Sequence, residues 1–116
     1  MGFLFSKKKK DIKTLYVAKS DDGCLTSNRI TVDGAKVGYM YRETPSPNFP
    51  DSGWRFFAGD ESEEYTSDHK NFNVFKLNTV CNYDHDIIPF LDAPYGSAFI
   101  RDNGRFVEDE QPFEES

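Results

Sequence analysis

Cysteine, histidine and tryptophan are scarce in this chain of 116 residues, which holds two Cys, two His and one Trp. Two thiols, Cys24 and Cys81, cannot make the disulfide framework of a small secreted scaffold. No apolar h-region with a cleavage site precedes them, so reduced thiols are expected. Neither CxxC nor HxxxH occurs, and metal sites need three or four converging ligands, so no metal is expected at His69 or His85. Asp84-His85-Asp86 reads as a surface turn with a helix cap, because neighbours in a turn point apart. The serines lack a nucleophile elbow such as GxSxG and the cysteines lack a motif-bearing histidine, so no catalytic set is present and the chain is read as a non-enzyme without a cofactor. Apolar runs fall far short of the ~20 residues of a membrane span. A soluble protein off the membrane is expected.

Positive charge is also missing from most of the chain. The formal charge is −6, but residues 1–13 carry Lys7, Lys8, Lys9, Lys10 and Lys13 against Asp11, a net +4 that leaves −10 on the remainder. A body that acidic repels phosphate backbones, and no basic run follows Lys13, so nucleic acid is excluded as a partner and a basic protein surface is favoured. The opening MGFLFSKKKK formally matches a myristoylation pattern at Gly2 and Ser6 with a polybasic second signal, but nothing in the chain establishes an acyltransferase context. It reads as a frayed basic terminus.

Aromatics are abundant, with eleven Phe and six Tyr, enough to supply a core. They concentrate between Lys36 and Tyr65, KVGYMYRETPSPNFPDSGWRFFAGDESEEY. Val37, Tyr39 and Tyr41 alternate with Gly38, Met40 and Arg42, and Trp54 and Phe56 alternate with Arg55 and Phe57, the period of strands. Between them Thr44 to Gly53 carries Pro45, Pro47 and Pro50 with Asp51, Ser52 and Gly53, which predicts a wide hairpin loop without regular structure. Asp33-Gly34 is a type I′ hairpin signal, so residues 29–32 are expected to pair with 36–42 across it. With residues 54–58 this makes a meander.

Leu15 to Ala18 predicts a further strand at 14–18. Asn78 is placed as the cap of a short helix over 79–83 that carries Leu77, Val80 and Cys81 on one face. A second helical turn is predicted from Asp86, with Pro89 in its first turn and Ile87, Ile88, Phe90 and Leu91 against the sheet. Asn103-Gly104 predicts a tight hairpin between strands at 97–101 and 105–108. The expected fold is a single α+β domain, a mostly antiparallel twisted sheet of five or six strands with one or two short helices from 78 to 92 on the face that buries Trp54 and Phe56. Residues 1–13 are a basic flexible segment, 14–108 the domain, and 109–116 an acidic solvated tail.

After Phe57 the apolar pattern stops and Asp60, Glu61, Glu63 and Glu64 come within five residues. An EF-hand's alternation of oxygen ligands around a central Gly is missing. What remains is a solvated face or an acidic docking patch that steers a basic partner. The candidate partner-binding residues are Arg55, expected to emerge beside the acids, with Asp60, Glu61, Glu63, Glu64 and Tyr65. The Pro-rich loop from Thr44 to Gly53 is the other candidate face.

KVGYMYRE, DSGWRFFAGDESEEY, LNTVCNYD, DIIPFLDAPYGSAFIRD and GRFVE together resemble the immunity protein 33-type domain family of bacterial polymorphic toxin systems, first catalogued as a domain of unknown function. The resemblance runs from Gly34 to Val107 and leaves MGFLFSKKKK outside it. It implies a small cytoplasmic protein that neutralises a toxin domain by binding it. A toxin with a basic cleft, as nucleases have, would meet carboxylates standing in for substrate phosphates. The alternative is a housekeeping interaction module with no toxin partner.

Overall fold

The computed structural model describes residues 22–109. The predicted strand at 14–18, the basic segment 1–13 and the tail beyond residue 109 lie outside the described residues. What is described is an α+β domain, a six-stranded mixed sheet of order β4-β1-β3-β2-β5-β6 with short helices. The strands are β1 (Gly23–Ser27), β2 (Tyr39–Arg42), β3 (Asp51–Phe57), β4 (Phe72–Lys76), β5 (Ala98–Asp102) and β6 (Arg105–Glu108). The helices are α1 (Asn28–Thr31), α2 (Glu63–Ser67) and α3 (Leu77–Tyr83), with 3-10 turns at His69–Asn71 and His85–Phe90.

β3 inserts between β1 and β2. It runs parallel to β1, placing Thr26 opposite Phe56, and antiparallel to β2, placing Met40 opposite Phe56. All other pairings are antiparallel. The alternation of β3 sends Trp54 and Phe56 to one face, where both are fully buried with Cys24, Met40, Val37 and Ile30. α3 supplies Leu77, Val80 and Cys81 to this core, and the 3-10 turn at 85–90 adds Ile87, with Leu91 just beyond. The expected burial of Trp54 and Phe56 under the helical segment is therefore observed. The Trp54 indole N–H, which must find an acceptor once desolvated, donates to the Leu91 carbonyl at 3.1 Å. The β5–β6 hairpin also matches: Asn103 and Gly104 both have positive φ, as a type I′ turn requires.

Asp33-Gly34 behaves differently from the expectation. Residues 28–31 form a helical turn, with the Ser27 hydroxyl accepting from the Arg29 amide at 3.1 Å and Ile30 buried in the core. Gly34, at φ 82°, stops that turn by folding the Gly34 and Ala35 amides back on the Ile30 and Arg29 carbonyls. Glycine's freedom at positive φ serves a helix end as well as a hairpin, so the predicted 29–32/36–42 pair and the meander do not form. β2 pairs with β3 and β5 instead.

The strand after the Pro-rich loop starts three residues early, at Asp51. The Asp51 carboxylate organises that start by accepting from the Ser46 amide at 2.6 Å and the Gly53 amide at 2.9 Å. Asn78 is not a cap but lies buried within α3, whose N-cap is Lys76 with no side-chain bond. Likewise Asp84, not Asp86, caps the 85–90 turn, accepting from the Asp86 amide at 3.0 Å. Asp84 is also buried rather than superficial. Its second oxygen accepts from the Val37 amide at 2.9 Å and from Arg101 at 2.7 Å, so the pair satisfies a buried charge and ties β5 to the helical layer.

Candidate functional site

The face of the sheet opposite the helices carries the residues that alternate with the core. On β2 and β3 these are Tyr39, Tyr41, Arg55 and Phe57, and register places Ile100 of β5 beside Tyr39 and Val74 of β4 beside Leu25. Their rings form a continuous run. Tyr41 stacks on Phe57 with centroids 5.9 Å apart, Tyr39 lies 6.2 Å from Phe57, Phe57 meets Phe72 edge-on at 5.6 Å, and Tyr65 of α2 meets Phe72 edge-on at 6.1 Å. Ile100 (44% exposed), Val107 (46%) and Val74 (51%) extend this apolar surface outward.

α2 crosses one end of that surface, and its sequence explains why it forms there. The Ser62 hydroxyl accepts from the Tyr65 amide at 3.0 Å, while Glu63 and Glu64 occupy the first turn, where carboxylates suit the partial positive charge of exposed amides. Tyr65, half-buried, anchors the turn to Phe72. The Glu61 carboxylate accepts from the Ala58 and Gly59 amides at 2.8 and 2.9 Å, which closes the corner between β3 and α2. Asp60 accepts from Nε and Nη2 of Arg29, at 3.1 and 2.6 Å, and that bonding holds its carboxyl below the usual range.

Of the six residues picked out from the sequence, five therefore lie on this corner, in three different situations. Asp60 and Glu61 have internal partners, Tyr65 is an anchor, and Glu63 and Glu64 are exposed with no side-chain hydrogen bond or ion pair among the described residues. Arg55 is elsewhere. The expectation that it emerges beside the acids is corrected, because it is only 6% exposed and points back along β3. Its guanidinium grips Asp51 at 2.8 and 2.9 Å and Glu43 at 2.6 Å. Burial opposes charge on both partners of the Arg55–Asp51 pair. Their mutual hydrogen bonds outweigh it, raising the arginine's pKa and lowering the aspartate's.

The sequence offers its aromatics as core material in general, and nothing in it places Ile100 with Tyr39, Tyr41 and Phe57. The structure brings Tyr39, Phe57 and Ile100 together as the floor of an open concavity of about 510 Å³, rimmed by Asp60, Glu61, Thr66 and Arg101. The signal for the face is present in the alternation itself, since a strand with apolar residues at every position has two apolar faces and only one can meet the helices. Gly38 lines the same hollow. A Cβ there would overlap the Ala58 carbonyl oxygen, so glycine is what lets β2 and the end of β3 approach.

Among the described residues no group of three His, Cys, Asp or Glu side chains converges as a metal site. Both cysteines are free and buried, and desolvation pushes the Cys24 thiol up to about 12, which makes it a poor nucleophile. No helix among the described residues is long and apolar enough to cross a membrane. The site offers apolar surface and negative charge for binding.

The family model described as Immunity protein Imm33 domain matches residues 24–110 of the chain. No curated protein and no solved structure matches it.

Proposed function

The chain belongs to the immunity protein Imm33 domain family, and on that premise we propose that it neutralises a toxin domain by binding it directly, without catalysis, in the cytoplasm. The observation that carries this reading is the family match, which runs over the sheet from β1 to β6. The geometry supports a binding mode. An aromatic face ends in the acidic corner of Asp60, Glu61, Glu63 and Glu64, next to Tyr65, and a body with this excess of carboxylates attracts a partner with a basic surface. Arg55 contributes indirectly, by fixing the start of β3 through Asp51 and Glu43.

Co-expression with the genes that flank its own locus tests the reading. Growth restored in the presence of a toxic neighbour is the expected result. Absence of rescue from every neighbour contradicts it and supports an interaction module with no toxin partner.

A further inference from the structure

The hollow over Tyr39, Phe57 and Ile100 is apolar at its base and acidic at its lip, and these two features specify different parts of one occupant. The base is built from side chains and from the close backbones of Gly38, Ala58 and Gly59, which leave no Cβ in the way at the two glycines. Its polar lip is dominated by carboxylates, because the nearby cations are already engaged. Arg101 is held by Asp84 at 2.7 Å and Asp86 at 2.9 Å, and Arg29 by Asp60 at 2.6 Å and Asp33 at 3.1 Å. Among the described residues that line the hollow, the cation Arg101 is thus already committed to carboxylates. A cation has acceptors, since a carboxylate offers about four lone-pair sites and the fork from Arg29 on Asp60, or the two amides on Glu61, uses only two.

We infer that this hollow receives an arginine-bearing apolar tip of the partner protein, its apolar part seated on Tyr39, Phe57 and Ile100 and its guanidinium on Asp60 and Glu61. The inference rests on the toxin-binding reading of the same face and names the chemistry of the contact. Planar guanidinium suits the place better than ammonium. It bonds carboxylates in a fork, as Arg29 already does on Asp60, and it is more weakly hydrated than an ammonium, so seating it beside an apolar floor costs less. The hollow then acts as an anchor pocket, with Glu63 and Glu64 steering the approach from its flank.

The test is an NMR titration of the full chain with phenethylguanidinium, and with phenethyl alcohol and guanidinium as its two halves. Amide shifts that saturate and cluster at Gly38, Tyr39, Phe57–Glu61 and Ile100 are expected, with each half binding at least about tenfold more weakly than the whole. Ile100→Glu is the decisive variant because it adds a carboxylate while spoiling the apolar floor. Binding by charge alone predicts equal or tighter association, whereas the anchor predicts at least about fivefold weaker association, because the probe's ring no longer buries apolar surface against the floor. Ile100→Ala, which only shortens the floor, changes affinity in the same direction and serves if the glutamate variant does not fold. Scattered or non-saturating shifts, or an unweakened Ile100 variant, overturn the inference. Rescue in cells does not use this probe, so that outcome leaves the toxin-binding reading standing.

Discussion

The side chains that hold the ends of β3 in place are charged. Asp51 accepts four hydrogen bonds, from the Ser46 and Gly53 amides and from two nitrogens of Arg55, and its side chain is sealed from solvent. Burial works against its charge, but these bonds win and its pKa lies below the ordinary value. The unfolded chain therefore binds a proton at Asp51 more readily than the folded one. Its contribution to stability is complete above the unfolded pKa of about 3.9 and is lost as pH falls through the lower folded value. Urea midpoints are expected to be flat from neutrality down to about pH 5 as far as Asp51 is concerned and to drop below about pH 4. Asp51→Asn should lower the midpoint at pH 7 and shallow the acid decline, since it removes the group that titrates; an equally steep decline in the variant would assign it to other carboxylates. Little of this is legible in the sequence. Arg55 alternates with core aromatics and so reads as solvent-facing, yet alternation gives only the face, and whether that face is wet depends on partners such as Glu43 and Asp51 that the pattern does not reveal. The acids themselves are found by composition, but composition cannot divide Asp60 and Glu61, which have internal partners, from Glu63 and Glu64, which have none among the described residues.

Among the elements, those with an unambiguous local signal form where the sequence puts them. Asn103-Gly104 makes its hairpin, and the Trp54–Phe56 strand and the Leu77, Val80, Cys81 helical face turn inward. Misreadings arise where one residue type serves two geometries. Asp33-Gly34 ends a helical turn, because Ser27 caps α1 and Ile30 is drawn into the core. Parallel pairing of β1 with β3 has no local signal, since register between distant segments is set by tertiary packing. α2 hides within a stretch that reads as a polar corner, although Ser62 ahead of two glutamates is an N-terminal helix signature. Its cap can be tested alone. Ser62→Ala removes the acceptor for the Tyr65 amide and should cost about 1 kcal/mol locally. Hydrogen exchange at Tyr65 and Thr66 is expected to accelerate by roughly fivefold while β3 and α3 amides keep their protection. Unchanged exchange at those two amides would mean that the Tyr65–Phe72 contact holds α2 without the cap.

At the scale of the molecule, the described residues set a helical layer against one face of a mixed sheet and carry an aromatic run on the other, with an acidic corner at its end. Arg29 and Arg101, close to the corner, are paired in place, and against the exposed Lys70 in the turn after α2 stand Glu61, Glu63 and Glu64, which have no ion pair among the described residues, so a basic partner meets mainly negative charge there. Complementary charge of this kind acts mostly on the association rate and is screened over about 8 Å at physiological salt. Glu63 and Glu64 are the residues to reverse, because Glu61 also closes the backbone at Ala58 and Gly59 and its loss would confound charge with structure. The most direct measurement is the association rate constant between the chain and whichever toxic neighbour the co-expression test identifies, compared for wild type and the Glu63→Lys/Glu64→Lys variant as salt rises from about 50 to about 500 mM. Steering by the corner predicts a wild-type rate that falls steeply with salt, and a variant that keeps its fold but associates at least about tenfold more slowly at low salt with little salt dependence. A folded variant with the wild-type rate and the wild-type salt dependence would contradict the account, making the corner a solvated face and moving the binding site to the Pro-rich loop from Thr44 to Gly53.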